Sequence, residues 1–288
     1  MLAQLSQRGQ RVPALPSIAK AITSTLVGVA IRDGSIASVD DPVTHYVQSL
    51  QGSAYDATSI RDILMMASGV RWDEAYANPN SDRRHLLEAQ IAQTPGTALA
   101  LMARLSRAAP PGTVNNYNTG EAMIAGEVVR RASGRSLPDF LSARIWQPFG
   151  MESPATWWLA SSDGTTMAGS GFAATLRDYG RFGLYILADG IIDGHATLPE
   201  GWLRQTTTLA PLKNGAPQDY GYWWPAQPTA DSPDPQGAFA AAGIFGQYVH
   251  LNPRERLVIV EWSARSKPEG MDIVDDQDFF VAVARALH

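Results

Sequence analysis

The sequence predicts an α+β fold in which a mostly helical middle segment interrupts a sheet region. Three observations carry this reading. Apolar residues recur at helical spacing from Ile60 to Ile145. After about Thr165 the texture changes, and Gly237 to Leu251 and Arg256 to Ala264 read as paired strands joined by a turn at Asn252-Pro253-Arg254-Glu255. One strongly apolar helix, Ser17 to Arg32, precedes both. Helices and strands segregated along a chain point to an α+β architecture. The expected division is a discontinuous sheet domain from 1–40 and 165–288, with a mostly helical domain over 41–164.

The first helix is the clearest. Pro16 suits its first turn, Gly34 is placed to end it, and Ile18, Ile22, Leu26 and Val29 make a buried stripe. Helical periodicity then marks Ile60 to Met66, Arg84 to Ala92, Glu121 to Ala132 and Leu137 to Ile145. Loops fall at Asn78-Pro79-Asn80, Pro110-Pro111-Gly112 and Trp146 to Pro154. Leu176 to Leu187 is a further helix, and Asp275 to His288 closes the chain as an amphipathic one.

Composition narrows the function. The 288 residues are 45% hydrophobic and 18% charged, enough to bury a full core. A net charge of −5 argues against nucleic-acid binding, which needs clustered Lys and Arg. No apolar run reaches the ~18 residues of a membrane span. Cys is absent, which removes disulfides, thiolate metal sites and cysteine nucleophiles. Met1 to Arg11 has neither an apolar core nor a small-residue cleavage site, so the N-terminus as written reads as cytoplasmic; a longer native one would reopen export. The expected partner is a small molecule, with no nucleic acid and no membrane.

No G-x-S-x-G elbow, zinc helix or phosphate loop occurs, and the five histidines are scattered. No metal or organic cofactor is expected. What remains is Ser17-Ile18-Ala19-Lys20. Residues three apart share a helix face, so a serine hydroxyl and a lysine amine can meet there. A neutral amine can take the proton that makes serine a nucleophile. The positive end of the helix dipole and an apolar surrounding both favour that neutral form. The plain alternative is a capping serine followed by a solvated lysine. Lys20 is one of only three lysines, and the only one with serine three residues before it. Tyr117-Asn118-Thr119 adds a loop tyrosine able to shuttle protons, or simply packed at a helix entrance. Ala241-Ala242-Gly243-Ile244 adds a strand whose glycine permits close backbone approach, or a plain core strand.

Taken in order, Ser-x-x-Lys, then Tyr-x-(Asn/Ser), then a strand with x-x-Gly resembles the serine β-lactamase and penicillin-binding-protein superfamily. The likeness is to its class C-related branch, the family VIII carboxylesterases and 6-aminohexanoate-dimer hydrolases. Further matching segments are Asp40-Asp41-Pro42-Val43, Ile60 to Gly69, Ile145 to Met151 and Gly243 to Gln247. The resemblance implies an antiparallel sheet flanked by helices beside an all-helical domain, with the site between them. It implies Ser17 as the acylated nucleophile, Lys20 and Tyr117 sharing its proton, and the backbone N–H groups of Ser17 and Ile244 as the oxyanion hole. Tyr76, Thr119, Ala241 and Gly243 would touch substrate, and Tyr220 to Trp224 would line the cleft wall.

Three features depart from that pattern. Position 241 is Ala where β-lactamases and peptidases carry Lys or His, which disfavours substrates held by a carboxylate. Position 119 is Thr in place of Asn or Ser. Only sixteen residues precede Ser17, where relatives have several dozen including strands of the sheet; an exposed edge would make a homodimer an outcome to test. The expected function is a serine hydrolase forming an acyl-enzyme, a carboxylesterase on small esters. The alternatives are an amidase on short linear amides such as 6-aminohexanoate oligomers, a β-lactamase or D,D-peptidase, and a non-catalytic truncated homologue.

Overall fold

The computed structural model describes residues 17–218, 221–225, 238–267 and 275–287. Pro16, the Met1 to Arg11 segment, Tyr220 and Gly237, all used above, lie outside them.

Helix α1 (Ile18–Arg32) is encased. The expected stripe is buried, but so is every residue from Ile18 to Ala30, including Lys20, Thr23, Ser24 and Thr25. Two of its buried hydroxyls turn to carbonyls: Thr23 Oγ1 donates to Ala168 O (2.8 Å) and Thr25 Oγ1 to Ala21 O (2.8 Å). Such pairing lets polar side chains enter a core without a desolvation penalty. Gly34 follows the end of α1 with φ 78°, as a helix terminator does.

The middle of the chain is helical: α2 (Val43–Tyr46), α3 (Ile60–Leu64), α4 (Asp82–Ala92), α5 (Thr97–Arg104), α6 (Thr119–Ser133) and α7 (Leu137–Leu141). Short polar residues start most of them. Ser59 and Asp62 form a reciprocal capping box on α3, and Ser81, Asn118 and Ser136 each accept a first-turn N–H. The expected helix over 137–145 is α7 followed by a π-helical turn, Ser142–Trp146. Helix α5 was not anticipated.

Beyond it, β1 (Thr156–Trp157) pairs with β2 (Phe172–Ala173), α8 (Leu176–Leu187) follows, β3 (Ile191–Ile192) pairs with β4 (His195–Ala196), and α9 (Trp202–Thr207) leads on. Among the described residues the main sheet is three antiparallel strands in order β5 (Phe239–Gly243), β6 (Gln247–Asn252) and β7 (Leu257–Trp262), with α10 (Asp276–Ala286) after it. The expected single strand over 237–251 is therefore two strands. Ile244-Phe245-Gly246 turns the chain back, with Phe245 and Gly246 at φ 70° and 77°, so a second hairpin precedes the expected one.

Helices cover both sheet faces. On one face a Cβ at Gly183 of α8 would meet Val258 at 2.5 Å and Val249 at 3.4 Å, so the glycine permits contact. On the other, Phe280 of α10 stacks on His250 (centroids 4.4 Å apart) and meets Tyr248 edge-on. Alternation of side chains sets which strand residues face which layer. Helix α1 packs against α6 and against β5 and β6, which brings the opening of α1, the loop before α6 and the end of β5 together.

Candidate active site

Ser17 occupies the N-cap position of α1 yet makes no capping hydrogen bond with its side chain. Its Oγ is free for other work and lies 2.9 Å from Tyr117 Oη and 3.1 Å from Lys20 Nζ. The backbone of Ser17 sits in the left-handed region (φ 31°), which costs about 1–2 kcal/mol for a residue with a Cβ. The capped-helix, solvated-lysine alternative does not describe this arrangement.

Lys20 is 3% exposed, and its Nζ donates to Ser17 Oγ and to Gly169 O (3.1 Å). Burial lowers its pKa to about 7; the charge of Glu74 opposes the shift and that of Arg83 adds to it. The amine is thus poised between its two forms at neutral pH. Gly169 reaches this position through close packing on α6: a Cβ there would come within 3.0 Å of Ala122 Cβ and 3.1 Å of Thr119 O.

Tyr117 is held by its neighbours. Asn116 N donates to Met66 O (2.8 Å), Asn116 Nδ2 to Trp72 O (3.2 Å) and Asn115 Nδ2 to Met65 O (2.8 Å), pinning the loop to the segment after α3. Its ring centroid lies 5.0 Å from Lys20 Nζ.

These three side chains open into a cavity of about 800 Å³, lined also by Tyr76, Gly243 and Ile244. Ile244 begins the β5–β6 turn, and its N–H has no backbone partner among the described residues. Tyr76 is 39% exposed on the rim, its phenol pushed up by burial and by Glu74.

Two expected contacts are corrected. Ala241 is buried and does not line the cavity. It pairs across from Val249, on the α8 side of the sheet, while Ala242, opposite Tyr248, faces the cleft. Thr119 does not line the cavity either: its hydroxyl and its N–H both go to Glu74. Of the aromatic run, Trp223 lines the cleft. Tyr222 turns its hydroxyl to Arg61 and Gln205, Trp224 packs against Phe182 and Phe239, and Tyr220 lies outside the described residues.

Glu74, Tyr248 and Arg265 line the cavity without having been anticipated. Glu74 also accepts from Trp72 Nε1 and stands 3.8 Å from Arg83 Nε, so it ties the Tyr76 loop to the start of α6. The Trp72-Asp73-Glu74-Ala75-Tyr76 run held the signal, since a carboxylate two residues from a rim tyrosine is itself a candidate. Arg265 forks onto Asp276 and lies over Gly246, where a Cβ would be 2.3 Å from its Nε.

The Beta-lactamase family profile matches residues 8–283. The chain is 27% identical over 272 residues to the 6-aminohexanoate-dimer hydrolase of Paenarthrobacter ureafaciens, covering 88% of this chain and 67% of that protein. A Bacillus anthracis protein provisionally described as a 6-aminohexanoate-dimer hydrolase superimposes with a TM-score of 0.81 at 22% identity, covering 100% of this chain and 76% of that one. A family VIII carboxylesterase superimposes with a TM-score of 0.71 at 16% identity, over 96% and 83% of the two chains. These structural likenesses establish a β-lactamase/transpeptidase-like fold. Because the profile runs through nearly the whole sequence, the chain belongs to the Beta-lactamase family.

Proposed function

We propose that this protein is a serine hydrolase that forms an acyl-enzyme on Ser17, and that small carboxylic esters are its substrates. The observation that supports it most is the convergence of Lys20 Nζ and Tyr117 Oη on one serine oxygen. Ser17 Oγ attacks the ester carbonyl carbon as its proton passes to the neutral Lys20 amine. The carbonyl oxygen takes up negative charge between the N–H groups of Ser17 and Ile244. The tetrahedral adduct collapses, the C–O bond to the alcohol breaks, and the leaving oxygen receives a proton through Tyr117. Water then attacks the acyl-enzyme, giving its proton to the same amine–phenol pair, and releases the acid and Ser17. Esters rank first because an alkoxide leaves more readily than an amine and needs less exact protonation.

A second reading, an amidase on short linear amides, is favoured by Tyr76, which lines the cavity where it could protonate or hold a departing amine. The 6-aminohexanoate-dimer hydrolase relative adds to it. The test is labelling by a fluorophosphonate, expected on Ser17 and absent in Ser17→Ala. Turnover of p-nitrophenyl acetate and of 6-aminohexanoate dimer, compared in wild type and Tyr76→Phe, separates the readings. A selective loss of amide turnover in Tyr76→Phe favours the amidase; ester turnover persisting in purified Ser17→Ala or Lys20→Ala overturns both.

A further inference from the structure

Behind Tyr117 lies a buried carboxyl that the proposed chemistry does not use. Glu121 stands in the first turn of α6 and is 1% exposed. Its Oε1 meets the Ser68 hydroxyl and lies 3.3 Å from Asn118 Nδ2; its Oε2 is buried with no hydrogen-bond partner. Among the described residues no Lys or Arg pairs with it. An ionised carboxylate is acceptor-only with room for about four donors, and a buried unpaired charge is strongly disfavoured. Two donors on one oxygen do not meet that need, whereas a neutral acid, able to share its proton with Ser68, fits.

This carboxyl closes a small network around the tyrosine turn. Asn118, the residue after Tyr117, accepts from Glu121 N (3.2 Å) and donates back to Glu121 Oε1. Ser68, on the segment after α3, accepts from Val70 N (3.0 Å) and ties into Glu121. The Ser68 and Asn118 hydrogen bonds and the first turn of α6 favour a charge, and burial outweighs them. Asp62 of α3 is repulsive, and the buried Tyr55 hydroxyl is uncharged. Arg107, one layer out, spends its guanidinium on the carbonyls of Ala54, Asp56 and Ser68.

We propose that Glu121 is a positioning residue that works only as an uncharged carboxylic acid, clamping the Asn118 turn so that Tyr117 Oη stays on Ser17. Burial agrees, pushing the group up to about 8. Ionisation places an unpaired charge behind the turn, and the least costly relief is to loosen it. The proposal rests on the reading of Tyr117 as proton shuttle, but part of its test does not need turnover.

The experiment compares wild type, Glu121→Gln and Glu121→Ala. In p-nitrophenyl acetate hydrolysis the wild-type kcat should fall above about pH 8 with KM unchanged. Glu121→Gln, with the same shape and no ionisation, should sustain the turnover that Glu121→Ala loses and should lack the alkaline fall. At pH 9.5 that is a difference of about thirtyfold, one decade per pH unit beyond the titration. Independently of activity, infrared difference spectra between pH 6 and 9.5 should show a protonated-carboxyl carbonyl band in wild type that is missing from Glu121→Gln. A folded Glu121→Gln with the same alkaline fall overturns the proposal, as does absence of that band at pH 6. Should Glu121→Gln not fold, the wild-type infrared titration decides alone. A band that titrates as expected in a protein without turnover would sink the hydrolase reading and leave the neutral acid standing.

Discussion

Lys20 Nζ and Ser17 Oγ stand 3.1 Å apart within one turn of an encased helix, and the lysine is almost wholly shielded from water. Only the neutral amine can accept the serine proton, and burial brings its pKa to about 7. The rate of Ser17 acylation should therefore rise about tenfold per pH unit below 7 and level off between 7 and about 8. Fluorophosphonate labelling rates from pH 5 to 8 measure this; a flat profile would exclude the lysine as base.

The same burial makes Lys20 a stability liability. Its folded pKa is about 7 against the ordinary 10.5, so between those values the unfolded chain holds a proton the folded one lacks, and the lysine's contribution to stability improves as pH rises from 7 to 10.5. The full difference is on the order of 5 kcal/mol. Lys20→Met removes it while leaving Gly169 O unpaired, a loss of about 1–3 kcal/mol. Urea unfolding should show the variant gaining on wild type below pH 7 and that advantage shrinking toward pH 10.5. An advantage independent of pH would mean the amine is not buried as described.

Ile244→Pro deletes one N–H from the proposed oxyanion hole without removing any described backbone hydrogen bond. Such a loss should lower kcat about 10²–10³-fold with little change in KM. Steady-state kinetics on p-nitrophenyl acetate check it, and an unchanged kcat would remove Ile244 from the site.

Thr119 and Glu74 carry the link between the rim loop and α6. Thr119→Val removes the hydroxyl donor and leaves the carboxylate short of a partner, at a cost of about 1–3 kcal/mol. Thr119→Ser keeps the donor and should stay close to wild type. Thermal midpoints of the two variants distinguish this from a direct substrate contact, which would alter KM and leave the midpoint unmoved.

Gly246 sits at φ 77° beneath Arg265. Gly246→Ala adds both an unfavourable backbone conformation, about 1–2 kcal/mol, and a clash with the guanidinium. The variant should be less stable and less active, since the turn it distorts carries Ile244; Arg265→Ala in the same background should recover part of the stability.

The helices that hold the site were legible because their periods and caps are local. Ser17 to Arg32 and Glu121 to Ala132 came within a few residues of α1 and α6. Helical spacing allowed the Ser17–Lys20 pair but left a capping serine and solvated lysine open, and the family resemblance favoured the pair. Misread features depended on what a residue faces. Ala241 and Ala242 are adjacent and chemically alike, and only the pairing of β5 with β6 turns one to the core and the other to the cleft. The Ile244 to Gly246 turn was hidden inside an apolar run, because a turn with two left-handed residues needs only one of them to be glycine. Helix α5 has only eight residues, shorter than the stretch over which a helical period is read. Glu74 was passed over because a loop carboxylate reveals its partners only when distant segments meet.

The enclosure of α1 on every side has a bearing on how the protein would be inactivated by heat. A helix that no local opening exposes belongs to the slowest-exchanging cooperative unit of a structure. Its amide protons should be among the last to exchange with deuterium, and residual hydrolytic capacity should vanish over the same temperature interval as the global melting endotherm.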